Sequence, residues 1–386
     1  MSDLIYLDYA AATPLDPAAV HAMQPYLQDQ FYNPSAVYQA ARSVRASLET
    51  ARTRVAHALG CKDQEVIFTA GGTEANNAAM HGILKHYPGA NVVVSAIEHE
   101  SVLEPAKQYE RRLAPVTKKG LVDLEKLAEL IDENTVLVSV MYANNEIGTI
   151  QPLKEIATLI ERKRTLRSNL APNPLPLYFH TDACQAANYL DLQVTRLGVD
   201  LMTINGGKLY APKQSGALYV RTGVELESFI AGGGQERSIR SGTENVGAQI
   251  AFATMLQKNQ RSRKEESERQ RKLRDSIFAI LSQKNPHILL NGDTRKRLPN
   301  NLNILVPGTD GERLLMELDE VGLMVATGSA CTASSDEPSH VLRAIGLSPA
   351  EASASLRITL GKETTAEEVS RAAEVLVEVI GKHLRV

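Results

Sequence analysis

The sequence predicts an α/β protein: a mostly parallel sheet flanked by helices in a large domain, with a smaller α+β domain attached. Three observations carry that expectation. Short apolar runs of strand length alternate with amphipathic helical stretches between residues 65 and 221. Most of these runs are nearly continuous in apolar residues, as strands covered on both faces are. The pattern then changes after Gly232-Gly233-Gly234, where a long charged helix leads into short strands and helices in a different order.

The elements follow in turn. Residues 42–59 place Val44, Leu48, Ala51, Val55 and Leu59 at helical spacing. EVIFT (65–69) reads as a strand, followed by Ala70-Gly71-Gly72 and a helical run from Thr73. A strand is expected over 91–96 and a helix over 100–112. Asp123 stands where it would cap a helix within 123–134. TVLVSVM (135–141) is a strand, and Pro152 takes a plausible first position of a helix over 152–168. Runs 177–182, 200–204 and 216–221 complete the strands of the large domain. From Val246 to about Leu281 the chain reads as one long helix, whose run 261–275 is a solvated charged face. Beyond it come LNILVP (302–307), a helical stretch at 311–321, MVAT (324–327), LRITL (356–360) and a last helix over 365–384. The boundary is placed near 260: residues 15–260 form the large domain, and 1–14 with 261–386 the small one. The N-terminal twenty residues are expected to pack with the small domain. The basic, proline-containing stretch 162–176 reads as a helix end entering a rigid surface loop, with no function assigned.

Composition narrows the function. The chain has 386 residues, with 42 Lys plus Arg against 45 Asp plus Glu and a net charge of -3, so bulk attraction to nucleic acid or an anionic membrane is not expected. No 18-residue uncharged apolar run and no basic leader with an apolar core is present, so a cytoplasmic protein is expected. The three cysteines, Cys61, Cys184 and Cys331, lack CxxC spacing, which argues against a disulfide framework or a metal site.

Four polar residues stand at strand exits: Thr73, His99, Asp182 and Lys208. Each alone has a bland reading as a cap, a turn residue or a solvated lysine. Together they are what pyridoxal 5'-phosphate requires. That cofactor needs an amine for its Schiff base and a carboxylate for its pyridine nitrogen. It also needs backbone N–H groups for its phosphate and a flat group over its ring.

The chain resembles the cysteine desulfurases, the NifS/IscS-like branch of the fold-type I pyridoxal-phosphate enzymes. The resemblance rests on nine stretches in family order: 6–14, FTAGGTEANN (68–77), EHESV (98–102), YANNEIGTIQP (142–152), HTDACQ (180–185), 206–221, GGGQERSIRSGT (232–243), 328–346 and LRITLG (356–361). It implies that Lys208 carries the cofactor, that Asp182 pairs with the pyridine nitrogen and that His99 stacks over the ring and shuttles protons. Gln185 and Asn145 would lie at the phenolic oxygen, with Asn145 also near the substrate. Gly72 and Thr73 would hold the phosphate, and Thr243 would reach the phosphate of a partner subunit, implying a homodimer. Arg357 would clamp the α-carboxylate of L-cysteine, its planar fork suiting that group. The implied reaction converts L-cysteine to L-alanine and leaves the sulfur on Cys331 as a persulfide. The sulfur would then pass to an acceptor protein, an iron–sulfur scaffold or a tRNA-thiolation enzyme.

On composition alone Cys331 reads as a small buried hydrophobe. Its setting argues otherwise, because the segment of about 327–340 is small and polar, as a loop that collects and delivers sulfur must be. Cys61, at a helix end, reads as structural. Cys184 is expected to point away from the site.

The chain departs from the family before the lysine. Asn205-Gly206-Gly207-Lys208 stands where the family usually has Ser-x-His-Lys, so two phosphate-binding side chains are replaced, and weaker cofactor retention is expected. Two rival readings are a selenocysteine lyase, or other fold-type I lyase, and a catalytically weakened sulfur-transfer scaffold. An oxidoreductase lacks support, because no GxGxxG follows the first strand.

Overall fold

Seven strands, six of them fully or largely buried, build the main sheet of this computed structural model, which describes residues 4–328 and 338–384. A short β1 (Ile5–Tyr6) precedes them. The sheet strands are β2 (Val66–Thr69), β3 (Asn91–Ser95), β4 (Glu110–Ala114), β5 (Thr135–Ser139), β6 (Tyr178–Asp182), β7 (Leu201–Asn205) and β8 (Gly216–Val220). Their spatial order is β2-β8-β7-β6-β5-β3-β4. Only β8 runs against its neighbours, pairing antiparallel with both β2 and β7. The carboxyl ends of the other six strands therefore share one edge, where loops and helix starts collect. This is the α/β architecture that the sequence predicts.

One expected element differs. The helix begun at Glu100 ends at Ala106, and the chain turns into β4, a parallel edge strand beside β3. The charged sequence Glu110-Arg111-Arg112 hides this strand, because an edge strand leaves side chains in water and gains from charges that discourage further pairing. Arg112 is committed locally, to Asp132 at 2.6 Å and to the carbonyl of Leu130 at 2.9 Å.

A second, smaller sheet is built from β9 (Leu289–Leu290), β10 (Asn301–Leu305) and, beyond β11 (Leu323–Met324), β12 (Ser355–Thr359), in the order β12-β10-β9. β1 pairs parallel with β11, so Ile5 and Leu7 enter the apolar core that contains Leu302, Leu356 and Leu376. The helix Pro17–Met23 differs: Ala19 lies in the larger core with Phe252 and Leu256. Only the first part of the N-terminal twenty residues therefore packs with the smaller unit.

The helix Val246–Lys284 runs unbroken through residue 260. Phe252 and Leu256 on its first half enter the larger core, and Ile277 and Leu281 on its second half enter the smaller one. At 39 residues it spans about 58 Å and serves both. Its charged run is largely solvated, apart from Ser267, Gln270 and Arg274. No described helix is long and apolar enough to cross a membrane.

Candidate active site

One cavity of about 630 Å³ opens at the carboxyl edge of the main sheet. Gly72, Thr73, His99, Asn145, Asp182, Gln185, Asn205, Lys208 and Arg357, all anticipated from sequence, line it. Each except Arg357 follows or ends a strand of the main sheet: β2 leads to Gly72, β3 to His99, β5 to Asn145, β6 ends in Asp182 and β7 leads to Lys208. Arg357 arrives from β12 of the smaller sheet.

Local structure fixes each group. Gly71, with φ 111°, caps the helix Gly72–His86 in a conformation that L side chains rarely adopt. Its lack of a side chain leaves the first-turn N–H groups without a side-chain cap. A Cβ on Gly72 would stand 2.8 Å from Cys184 Sγ, so bare backbone is required at the wall. Asn205 turns inward locally, its Oδ1 accepting the N–H of Gly207 at 3.0 Å. Lys208 Nζ donates to the carbonyls of Ala10, at 2.8 Å, and Ala11, and Gln185 Nε2 donates to Ala10 at 3.0 Å. The N-terminal strap thus closes one wall of the cavity.

Asp182 is buried, and both of its oxygens accept hydrogen bonds: from Cys184 N at 2.9 Å and from Asn76 Nδ2 at 2.7 Å. His99 caps the helix Glu100–Ala106, its Nδ1 accepting the N–H of Ser101 at 3.0 Å. Arg357 is 1% exposed, pairs with Asp8 at 2.7 Å and reaches the carbonyl of Asn145 at 3.4 Å. Its Nε is buried and has no hydrogen-bond partner among the described residues.

Two neighbouring groups are kept uncharged by burial. Glu98, the residue before His99, has its carboxyl pushed up to about 8 by burial, although Ser95 and the N–H of Met141 both donate to it. His180, within β6, is pushed down to about 4 and held neutral between Ser139 and Thr203.

Two expected residues are not among those described at the cavity. Thr243 is exposed and lines a separate hollow with Arg240 and Glu244. Cys331 falls outside the described residues. The chain ends that flank its segment stand together, since a Cβ on Gly328 would lie 3.5 Å from Ser339 Cβ. Next to them, Ser339 donates to Glu146, and His340 Nε2 stands 2.9 Å from the carbonyl of Glu98.

Cys184 lines the cavity, against the expectation that it would point away. Its backbone N–H turns back onto Asp182 Oδ1, and that turn re-aims the side chain toward the wall. Burial, reinforced by Asp182, pushes its thiol well up, so it is a protonated lining group. Sequence reasoning missed Asp8, Asn76 and Ser101. Asn76 belongs to the FTAGGTEANN stretch and Ser101 to EHESV, but only the sheet order shows that they meet.

Comparison with known proteins agrees with this geometry. The profile of the family described as Aminotransferase class-V matches residues 5–372. The chain is 40% identical to a protein named cysteine desulfurase IscS from Dictyoglomus turgidum, covering 98% of this chain and 95% of that one. It is 41% identical to cysteine desulfurase IscS 1 from Archaeoglobus fulgidus, covering 97% and 96% respectively. A solved structure titled NIFS-like protein superposes with a TM-score of 0.90 at 29% identity, covering 98% of this chain and all of that one.

Proposed function

The chain belongs to the aminotransferase class-V family, in its NifS/IscS-like cysteine desulfurase branch of fold-type I pyridoxal-phosphate enzymes, and from that premise we propose that it converts L-cysteine to L-alanine and retains the sulfur on Cys331. The observation that carries this reading is that Lys208, Asp182, His99 and Arg357 line one cavity.

The residues present fit the cofactor. A helix start with no side-chain cap suits its phosphate, a buried carboxylate suits its pyridine nitrogen, and the cavity has room for its ring. Lys208 would bond its aldehyde, Asp182 its ring nitrogen, and Gly72, Thr73 and Asn205 would surround its phosphate. Bound there, the group supplies an electron sink next to the amino acid's Cα.

The chain's own residues then have distinct tasks. Arg357 would receive the substrate carboxylate, for which its Nε, without a partner among the described residues, is a spare donor. Lys208, once released, would take the proton from Cα and later return one. Cys331, as thiolate, would attack the substrate sulfur. The new bond is sulfur to sulfur, the Cβ–S bond breaks, and its electron pair leaves with the carbon skeleton, which is protonated to alanine. A reducing compartment such as the cytoplasm would keep Cys331 ready between turnovers.

Thr243 supports a homodimer. It is exposed and lies outside the cavity of its own chain, so a phosphate contact from it would have to be made to a second copy. The persulfide would pass to an acceptor protein of iron–sulfur assembly or tRNA thiolation. Incubation with L-cysteine, followed by alanine quantitation and intact mass, tests the reading. One added sulfur on Cys331 per alanine is expected, and Cys331→Ser should abolish it. Full alanine production by Cys331→Ser would refute the sulfur-transfer step. A visible cofactor band that survives in Lys208→Ala would refute the assignment of the lysine.

A further inference from the structure

We infer that Asn76 and Ser101 position Asp182 and His99, the two side chains that would face the cofactor ring, as a single hydrogen-bonded unit. This rests on the proposed pyridoxal-phosphate chemistry. Asn76 sits on the helix after β2, Ser101 and His99 lie after β3, and Asp182 ends β6. The bridge therefore ties together three strand exits.

Proton accounting gives each bond a direction. Asp182 as carboxylate can only accept, so Asn76 must present its amide nitrogen, at 2.7 Å. The same nitrogen donates to Ser101 Oγ at 2.8 Å. Ser101 Oγ, already an acceptor, turns its hydrogen to His99 Nδ1 at 2.8 Å. The Ser101 backbone N–H points at that same nitrogen from 3.0 Å. Two donors on Nδ1 leave the imidazole proton on Nε2, so both the ring orientation and the tautomer are set.

The arrangement has a visible cost. Asn76 is 1% exposed, and its buried Oδ1 has no partner among the described residues. An amide placed only to fill space would be expected to satisfy its oxygen. Here the oxygen is left bare while both hydrogens serve Asp182 and Ser101. Asp182 is then held at both oxygens, its other one by Cys184 N at 2.9 Å, and its carboxylate plane cannot rotate freely.

The test uses full-length protein carrying Asn76→Ala, Ser101→Ala, both together, and Ser101→Thr, which keeps the hydroxyl. Pyridoxal phosphate affinity is measured by absorbance titration, and the His99 ring nitrogens of the apoprotein are followed by ¹⁵N NMR. Each single alanine variant is expected to weaken affinity about tenfold, because each removes a bond in a chain that ends on a charge. The double variant should be no weaker than the weaker single one, as expected for one shared chain. Ser101→Thr should stay near wild type. In Ser101→Ala the His99 Nδ1 resonance should move toward that of a less hydrogen-bonded nitrogen. Affinities within twofold of wild type, simple additivity, or an unmoved Nδ1 resonance would each overturn the bridge. If Asn76→Ala fails to fold, Ser101→Ala and Ser101→Thr decide the question alone. Wild-type protein that takes up no pyridoxal phosphate would overturn the cofactor reading and the bridge together, whereas wild-type uptake with unaffected variants would overturn the bridge alone.

Discussion

The cavity receives anions in two different ways. At Gly72 and Thr73 the reception is backbone: the first turn of a 15-residue helix whose partial charges are spread over several N–H groups. At Arg357 it is one full charge, 1% exposed. Partial charges in a first turn that is exposed at Thr73 can be left to water at little cost, although Gly71 and Gly72 are buried. A buried guanidinium cannot be left so, and the chain supplies Asp8 as a resident counter-charge at 2.7 Å. A phosphate would thus meet a site that water can vacate. A substrate carboxylate would meet one that it must share.

The largest expected effect lies at the full charge. Arg357→Ala should lower kcat/KM for L-cysteine by about 10³-fold, ~4 kcal/mol, while cofactor affinity changes little. An unchanged KM would show that the carboxylate binds elsewhere, and the contrast between the two receptions would lose its functional meaning. Next in size is Asp8→Ala, which strands the buried guanidinium. Unfolding free energy should fall by about 3 kcal/mol, read from urea midpoints of the apoprotein. A loss below about 0.5 kcal/mol would mean that water reaches Arg357 and that the pair is no different from a surface ion pair.

Much of this arrangement was legible in the sequence, and the reason is the parallel sheet. Apolar runs locate strands, and strand exits at one edge locate polar groups such as Asp182 and Lys208 without any knowledge of packing. What could not be read depends on neighbours remote in the chain. Asp8 meets Arg357 across 349 positions, and Asn76 meets Asp182 across 106. Neither carries a local pattern. β4 was hidden for the opposite reason: its local pattern is charged because it is an edge. Cys184 misled because its side chain was expected to point away along the turn after Asp182, whereas its N–H folds back onto Asp182 and the residue lines the cavity.

Glu98 sharpens the comparison between a charge that is paired and one that is not. Among the described residues it has, unlike Arg357, no opposite charge, and its buried Oε2 has no partner there, so burial pushes its carboxyl up to about 8. A carboxyl with a raised folded value binds its proton more tightly in the native state than in the unfolded chain. Stability should therefore fall as pH rises from the ordinary carboxyl range through about 8. Glu98→Gln should remove that fall, a gain on the order of 4 kcal/mol on the alkaline side, read from urea midpoints between about pH 5 and about pH 9. Parallel pH profiles for the two proteins would show that Glu98 is ionised in the fold.

The smallest effect concerns the backbone reception itself. If partial charges alone hold the phosphate, one further donor should help measurably. Gly207 occupies the position where the family usually offers a histidine, and there is room for a side chain: an added Cβ would lie 3.4 Å from Asn205 Oδ1 and 3.6 Å from Lys213 Cγ. The next residue back offers no such space, since a Cβ on Gly206 would come within 2.1 Å of Ser215 Oγ. Gly207→His should therefore fold and should slow pyridoxal phosphate dissociation about fivefold, ~1 kcal/mol, as one hydrogen bond to an anion would. Arg357 should be indifferent to this change, so the KM for L-cysteine should stay within about twofold of wild type. Equal dissociation from Gly207→His and wild type would mean that the helix start already saturates the phosphate. In that case the glycine pair is a sufficient alternative to the histidine and not a weakened one.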